Sequence, residues 1–156
     1  MVYFLTWTTY GTWLPGDARG WLDRREKGVV QEGDPERLAL ARGAMARPVV
    51  VLDKSMREMA GEAMRVVAAE RGWLIHALEV RSNHVHVVVA VDEVAMGEVM
   101  RVFKVRAARE LNRAAGSTGK RWWTRGGDKR LINTQAVLER AVNYVLNQDT
   151  NWRDKY

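Results

Sequence analysis

The stretch that most constrains this 156-residue chain is two strand-like runs held a few residues apart. Trp73 to Val80 and His84 to Val91 are rich in apolar and β-branched residues and are separated only by Arg81-Ser82-Asn83, which is the pattern of an antiparallel hairpin. Its surroundings change period. Val2 to Thr9 reads as a first strand, stopped by the turn residues near Pro15-Gly16-Asp17. Met56, Met59, Ala60, Ala63 and Val67 recur at helical spacing, behind Asp53 or Ser55 as the cap and ahead of Gly72 as the stop. A longer helix is expected from about Ala95 to Ala115, with Met96, Val99, Met100, Phe103, Ala107 and Leu111 on one face. Beyond Gly116, Lys120 to Thr124 and Lys129 to Ile132 flank Gly126-Gly127 and predict a second hairpin, and a last helix runs from about Asn133 or Thr134 to Gln148.

This order predicts an α+β fold: a ferredoxin-like, RRM-like antiparallel sheet with helices mainly on one face. The length suits a single domain over residues 1–156. Leu14 to Val51 reads as an insertion of Gly, Pro and mixed charge, with one short helix capped by Asp34 and opened by Pro35.

Composition then narrows the chemistry. Cysteine is absent, which removes disulfides, thiolate nucleophiles, iron-sulfur clusters and cysteine zinc sites, so any metal is held by His, carboxylate or amide. The longest apolar run, Val87 to Val91, is far below the roughly 20 residues that cross a bilayer. With no export signal read at the N-terminus, a cytoplasmic address is expected. The 25 Lys and Arg against 19 Asp and Glu give a net charge of +6, which favours a polyanion as partner, nucleic acid first.

Only three histidines occur, and His84 and His86 stand at i and i+2 on one strand, so their side chains share a face. Two imidazoles so placed can reach one metal ion; equally, they read as two packed or surface histidines. In the last helix Tyr144 and Gln148 are four apart and stand on one face. An amide oxygen can complete a metal site and a phenol can attack a phosphodiester, while Tyr144 beside Val145 also reads as a core residue. His76 is read as structural.

Ser82-Asn83-His84-Val85-His86 resembles the His-hydrophobic-His signature of HUH endonucleases, and Asn143-Tyr144-Val145-Leu146-Asn147-Gln148 is similar to the tyrosine helix of single-tyrosine HUH transposases. That family includes the transposases of the smallest insertion sequences and the REP-associated tyrosine transposases. The resemblance spans the first strand and about Trp73 to Gln148. Ser82 stands where many relatives carry proline, and the resemblance leaves Leu14 to Val51 largely unexplained. The resemblance implies a single-strand DNA endonuclease and strand transferase. In it Tyr144 is the nucleophile and forms a 5′-phosphotyrosine, while His84, His86 and Gln148 hold one Mg2+ or Mn2+. Hairpin-containing single-stranded DNA is the implied partner, and a homodimer is expected.

Arg106, Arg109 and Arg113 follow at helical spacing and form a basic stripe suited to phosphates, or else a solvated face. Lys120, Arg121 and Arg125 add charge around the second expected hairpin. Trp122 and Trp123, adjacent in a strand, should point to opposite faces, one stacking a base and one packing inward. The alternative function is a non-catalytic module that binds single-stranded or hairpin nucleic acid, a domesticated transposase among the possibilities, with the histidines and Tyr144 as packing residues. A relaxase relative and a water-using metal hydrolase are further rivals, and Tyr144→Phe separates the last of these from a tyrosine nucleophile.

Overall fold

Strand β1 (Val2–Thr8) is the axis of the sheet, because its alternate residues serve both layers. The computed structural model describes residues 1–22, 25 and 29–147. Tyr3, Leu5 and Trp7 point into the larger core, whereas Phe4 joins a smaller one on the other face. Two short strands, β2 (Trp21–Leu22) and β3 (Val30–Gln31), pair only with each other. They are followed by α1 (Pro35–Gly43), where the Asp34 side chain caps the backbone N–H groups of Glu36 and Arg37 and no helical residue is buried. Next come α2 (Lys54–Glu70), capped by Asp53, then β4 (Leu74–Val80), β5 (His84–Ala90) and α3 (Met96–Ala115). The chain closes with β6 (Asp128–Ile132) and α4 (Gln135–Leu146). Gly116 ends α3 in the left-handed conformation at φ 61°, where a side chain would be strained.

The sheet order is β4-β5-β1-β6, all antiparallel. This is the ferredoxin-like arrangement, with β5 and β1 in the middle. Val85, Val87 and Val89 pack with β1 against α2 and α3, and that face carries most of the apolar burial. Helix α4 packs on the opposite face, where Ala141 and Val145 meet Phe4, Ala77, Val88 and Ile132. The end of the expected insertion and the residue after it belong to the main core: Val50 and Leu52 are buried, and their backbone N–H groups donate to Tyr10 O and Ser82 O at 2.9 and 2.7 Å.

The expected second hairpin does not form. Residues 123–124 and 128–132 do not pair with each other but run one after the other along β1. Trp123 bridges Thr9, Thr124 N donates to Thr8 O at 3.0 Å, and Asp128 to Ile132 pair with Thr6 to Val2. Gly126-Gly127 is therefore a bulge in an edge strand, not a turn. Gly127 sits at φ 151°, and a Cβ there would lie 2.5 Å from Thr6 O, so the two backbones can approach only without a side chain. Lys104 of α3 pins the bulge, donating from Nζ to Thr124 O at 2.9 Å and to Gly126 O.

Candidate active site

The face shared by β1, β5 and α4 carries the chemistry. Antiparallel register sets Thr8 opposite His84, Thr6 opposite His86 and Phe4 opposite Val88, and directly opposed residues project to the same side. The two imidazole rings stand 4.7 Å apart, centroid to centroid, at 72°. Tyr144 descends from α4 onto this pair, its ring 5.5 Å from that of His86 and 6.0 Å from Phe4. Val145, the next residue, is buried and anchors the helix. The sequence-predicted histidines and tyrosine, separated by 58 to 60 positions' worth of chain, are thus brought to one place.

Both rings are oriented from behind. His84 Nδ1 donates to Asn83 Oδ1 at 2.7 Å; a carbonyl oxygen only accepts, so Nδ1 carries a proton, and in the neutral ring Nε2 is the nitrogen left to ligate. His86 Nδ1 lies 2.7 Å from Thr6 Oγ1, and donation to that hydroxyl gives the same tautomer. Burial, then the neighbouring charges of His84 and Arg81, push the His86 pKa down to about 3, so its ring is neutral at physiological pH. Two imidazoles, each held through Nδ1 by an oxygen, are the usual form of a metal-ligating histidine pair. The donor set therefore fits a divalent cation. Among the described residues no third His, Cys, Asp or Glu completes it. Gln148, expected as the amide ligand, lies outside the described residues.

Glu79 is paired across the strands with His86, and its carboxylate meets Arg81 at 3.5 Å. Neither they nor Thr6 stood out in the sequence, because nothing but register connects them to the histidines. His76 is the extra residue at a β4 irregularity between Ile75 and Ala77, and it stays outside the pair.

The basic residues divide by their partners. Arg106 forms an ion pair with Glu70 of α2, and Arg113 is 3.4 Å from Glu110, so the stripe read along α3 is partly neutralised by its own fold. Arg109 is exposed. Lys120, Arg121 and Arg125 are exposed, and among the described residues none of them meets a carboxylate. Trp122 corrects the expectation of a base-stacking ring: both tryptophans are inside, Trp122 at 2% and Trp123 at 8% exposure. The segment crosses the end of β1 instead of alternating in a hairpin, and the indole N–H groups donate inward, to Asn112 Oδ1 at 2.9 Å and Lys104 O at 3.0 Å.

The family model for IS200-like transposases matches residues 45–148. The chain belongs to that family. The match takes in both histidines and Tyr144, and it begins inside what reads in the sequence as an insertion. A solved REP-associated tyrosine transposase bound to a REP hairpin superposes with a TM-score of 0.55 at 16% identity. That comparison covers 92% of this chain but 63% of the other, so this chain spans less than two thirds of that protein's length. A protein assigned as a transposase in Deinococcus radiodurans R1 gives 0.52 at 17% identity, covering 95% of this chain and 90% of that one. At such identities the likeness is one of fold. No curated protein sequence matches this chain. No helix among the described residues is long and apolar enough to cross a membrane.

Proposed function

We propose that this protein is a transposase that cleaves and rejoins single-stranded DNA through Tyr144, with His84, His86 and Gln148 as the ligands of one divalent ion, Mg2+ or Mn2+. The observation that carries the reading is the meeting of three side chains from two distant segments: the Tyr144 ring stands 5.5 Å from that of His86, which in turn stands 4.7 Å from that of His84. A packed core has no need of two imidazoles and a phenol together, whereas phosphodiester transfer uses all three.

The Tyr144 oxygen attacks the scissile phosphorus in line, a 5′-phosphotyrosyl bond forms, and the departing strand takes a proton to end in a 3′-hydroxyl. Reversal by another 3′-hydroxyl releases Tyr144 and joins the strands without an external energy source. A bound divalent cation would offset the charge of the phosphate and orient it. The protein's own part is to orient both rings through Thr6 and Asn83 and to seat the phenol by the packing of Val145 and Ala141. The solved relative bound to a REP hairpin supports hairpin-containing single-stranded DNA as the substrate.

Incubation with Mn2+ and labelled single-stranded hairpin DNA should give a denaturation-resistant adduct that mass spectrometry maps to Tyr144. The adduct should vanish in Tyr144→Phe, in His84→Ala and on chelation. Cleavage retained at full rate by Tyr144→Phe would assign the reaction to water, and hairpin binding without any cleavage would leave a binding module.

A further inference from the structure

Beyond the end of β1, two chain segments form a cleft of about 290 Å3 lined by Arg47, Pro48, Val49, Val50, Lys120 and Arg121. Backbone hydrogen bonds tie it together: Val50 N donates to Tyr10 O and Tyr10 N to Trp122 O, both at 2.9 Å. The same layer joins the catalytic end of the sheet, since Thr9 N donates to Asn83 O at 2.9 Å and Asn83 holds His84. The cleft therefore lies at the end of the sheet where the histidine pair sits.

Its chemistry is that of a nucleotide seat. Arg47, Lys120 and Arg121 are exposed, and among the described residues none has a carboxylate partner, unlike Arg101, Arg106 and Arg113. No Asp or Glu occurs in residues 44–52 or 111–127, so the cations act together in a field of one sign. They are also held in place. Arg47 Nη1 donates to Gly119 O at 2.9 Å, Lys120 Nζ stands 4.2 Å over the Trp122 ring, and the Arg121 guanidinium stands 5.4 Å over Tyr10. The rest of the lining, Pro48, Val49 and Val50, is apolar. Cations at the mouth with an apolar wall and an aromatic ring beside them suit a sugar-phosphate with its base turned inward. The volume lies just below the roughly 300–1,000 Å3 usual for ligand clefts, a size that suits a single nucleotide.

We infer that this cleft seats an unpaired nucleotide of the single strand that leads to the scissile phosphate, with Arg47 and Arg121 on its phosphates. The inference rests on the single-stranded DNA reading above. It gives residues 47–50 a role in substrate binding.

The test is fluorescence anisotropy with labelled dT12 over a series of salt concentrations, for the wild-type protein, the Arg47→Ala/Arg121→Ala double variant and Tyr144→Phe. Two lost phosphate contacts should lower the slope of log K against log salt by about 1.4, since each contributes roughly 0.7 on a single strand, and should weaken binding at least about tenfold, with the thermal midpoint unchanged. Substituting 5-iododeoxyuridine in the oligonucleotide should give a photocrosslink on Tyr10 or the 48–50 stretch. Unchanged affinity and slope in the double variant, or a blunt duplex bound as tightly as dT12 and weakened equally, overturns the inference, as does failure of the wild-type protein to bind dT12. Failure of the catalytic reading looks different: no Tyr144 adduct forms, while the double variant still loses dT12 binding.

Discussion

Thr6→Val tests whether the hydroxyl behind His86 orients the ring. Valine keeps the shape and β-branching of threonine in the middle of β1, so the strand is undisturbed and only the Oγ1 partner, 2.7 Å from His86 Nδ1, is lost. His86 is 1% exposed, and water cannot replace the lost oxygen without opening the sheet. A buried polar group left unsatisfied costs about 1–3 kcal/mol, a loss of roughly 5- to 150-fold in the folding equilibrium constant. For a domain of this size that is a fall of about 2–4 °C in the thermal midpoint per kcal/mol. Thr6→Ser keeps the oxygen and should recover most of the difference. Urea denaturation and calorimetry measure the stability, and isothermal titration with Mn2+ measures the ligand effect, expected as a loss of about 10- to 100-fold in affinity. A Thr6→Val protein as stable as wild type, with Thr6→Ser no better than it, would refute the reasoning that the ring is held through Nδ1.

Gly127→Ala should destabilise by about 1–3 kcal/mol or more, because the new Cβ meets Thr6 O across the bulge; a calorimetric midpoint equal to wild type would show that the strands need not approach so closely. Trp122→Ala should cost about 3–5 kcal/mol as a buried large-to-small change, read by denaturation, while Trp122→Phe, which keeps a ring, should leave oligonucleotide affinity of the folded protein within twofold; a larger loss would restore a stacking role. Arg106→Ala should lower the salt dependence of DNA binding less than Arg109→Ala does, since Glu70 already pairs with Arg106; equal slopes would show that the ion pair opens on DNA.

Much of the local structure follows from the sequence because its causes are local. The caps at Asp34 and Asp53, the stop at Gly116 and the hairpin across Arg81-Ser82-Asn83 are read from neighbours a few residues away. So is the fact that His84 and His86 share a face, since alternation along a strand is geometric. The Tyr144 helix was legible as an apolar stripe, and family resemblance joined it to the histidines. Tertiary structure decided the rest. Which threonine stands behind His86 depends on a register set over 80 positions, and the irregularity at His76 is equally invisible to composition. Trp122 and Trp123 went inward because residues 123–132 found β1 as partner instead of each other, a choice made by the free edge of the sheet and not by Gly126-Gly127. Charge behaved the same way: sequence counts the arginines, but only folding places Glu70 against Arg106 and leaves Arg47 and Arg121 facing one cleft. Periodicity and capping are short-range and written along the chain, whereas register, ion pairing and the meeting of β5 with α4 are relations between segments that exist only once the sheet has closed around β1.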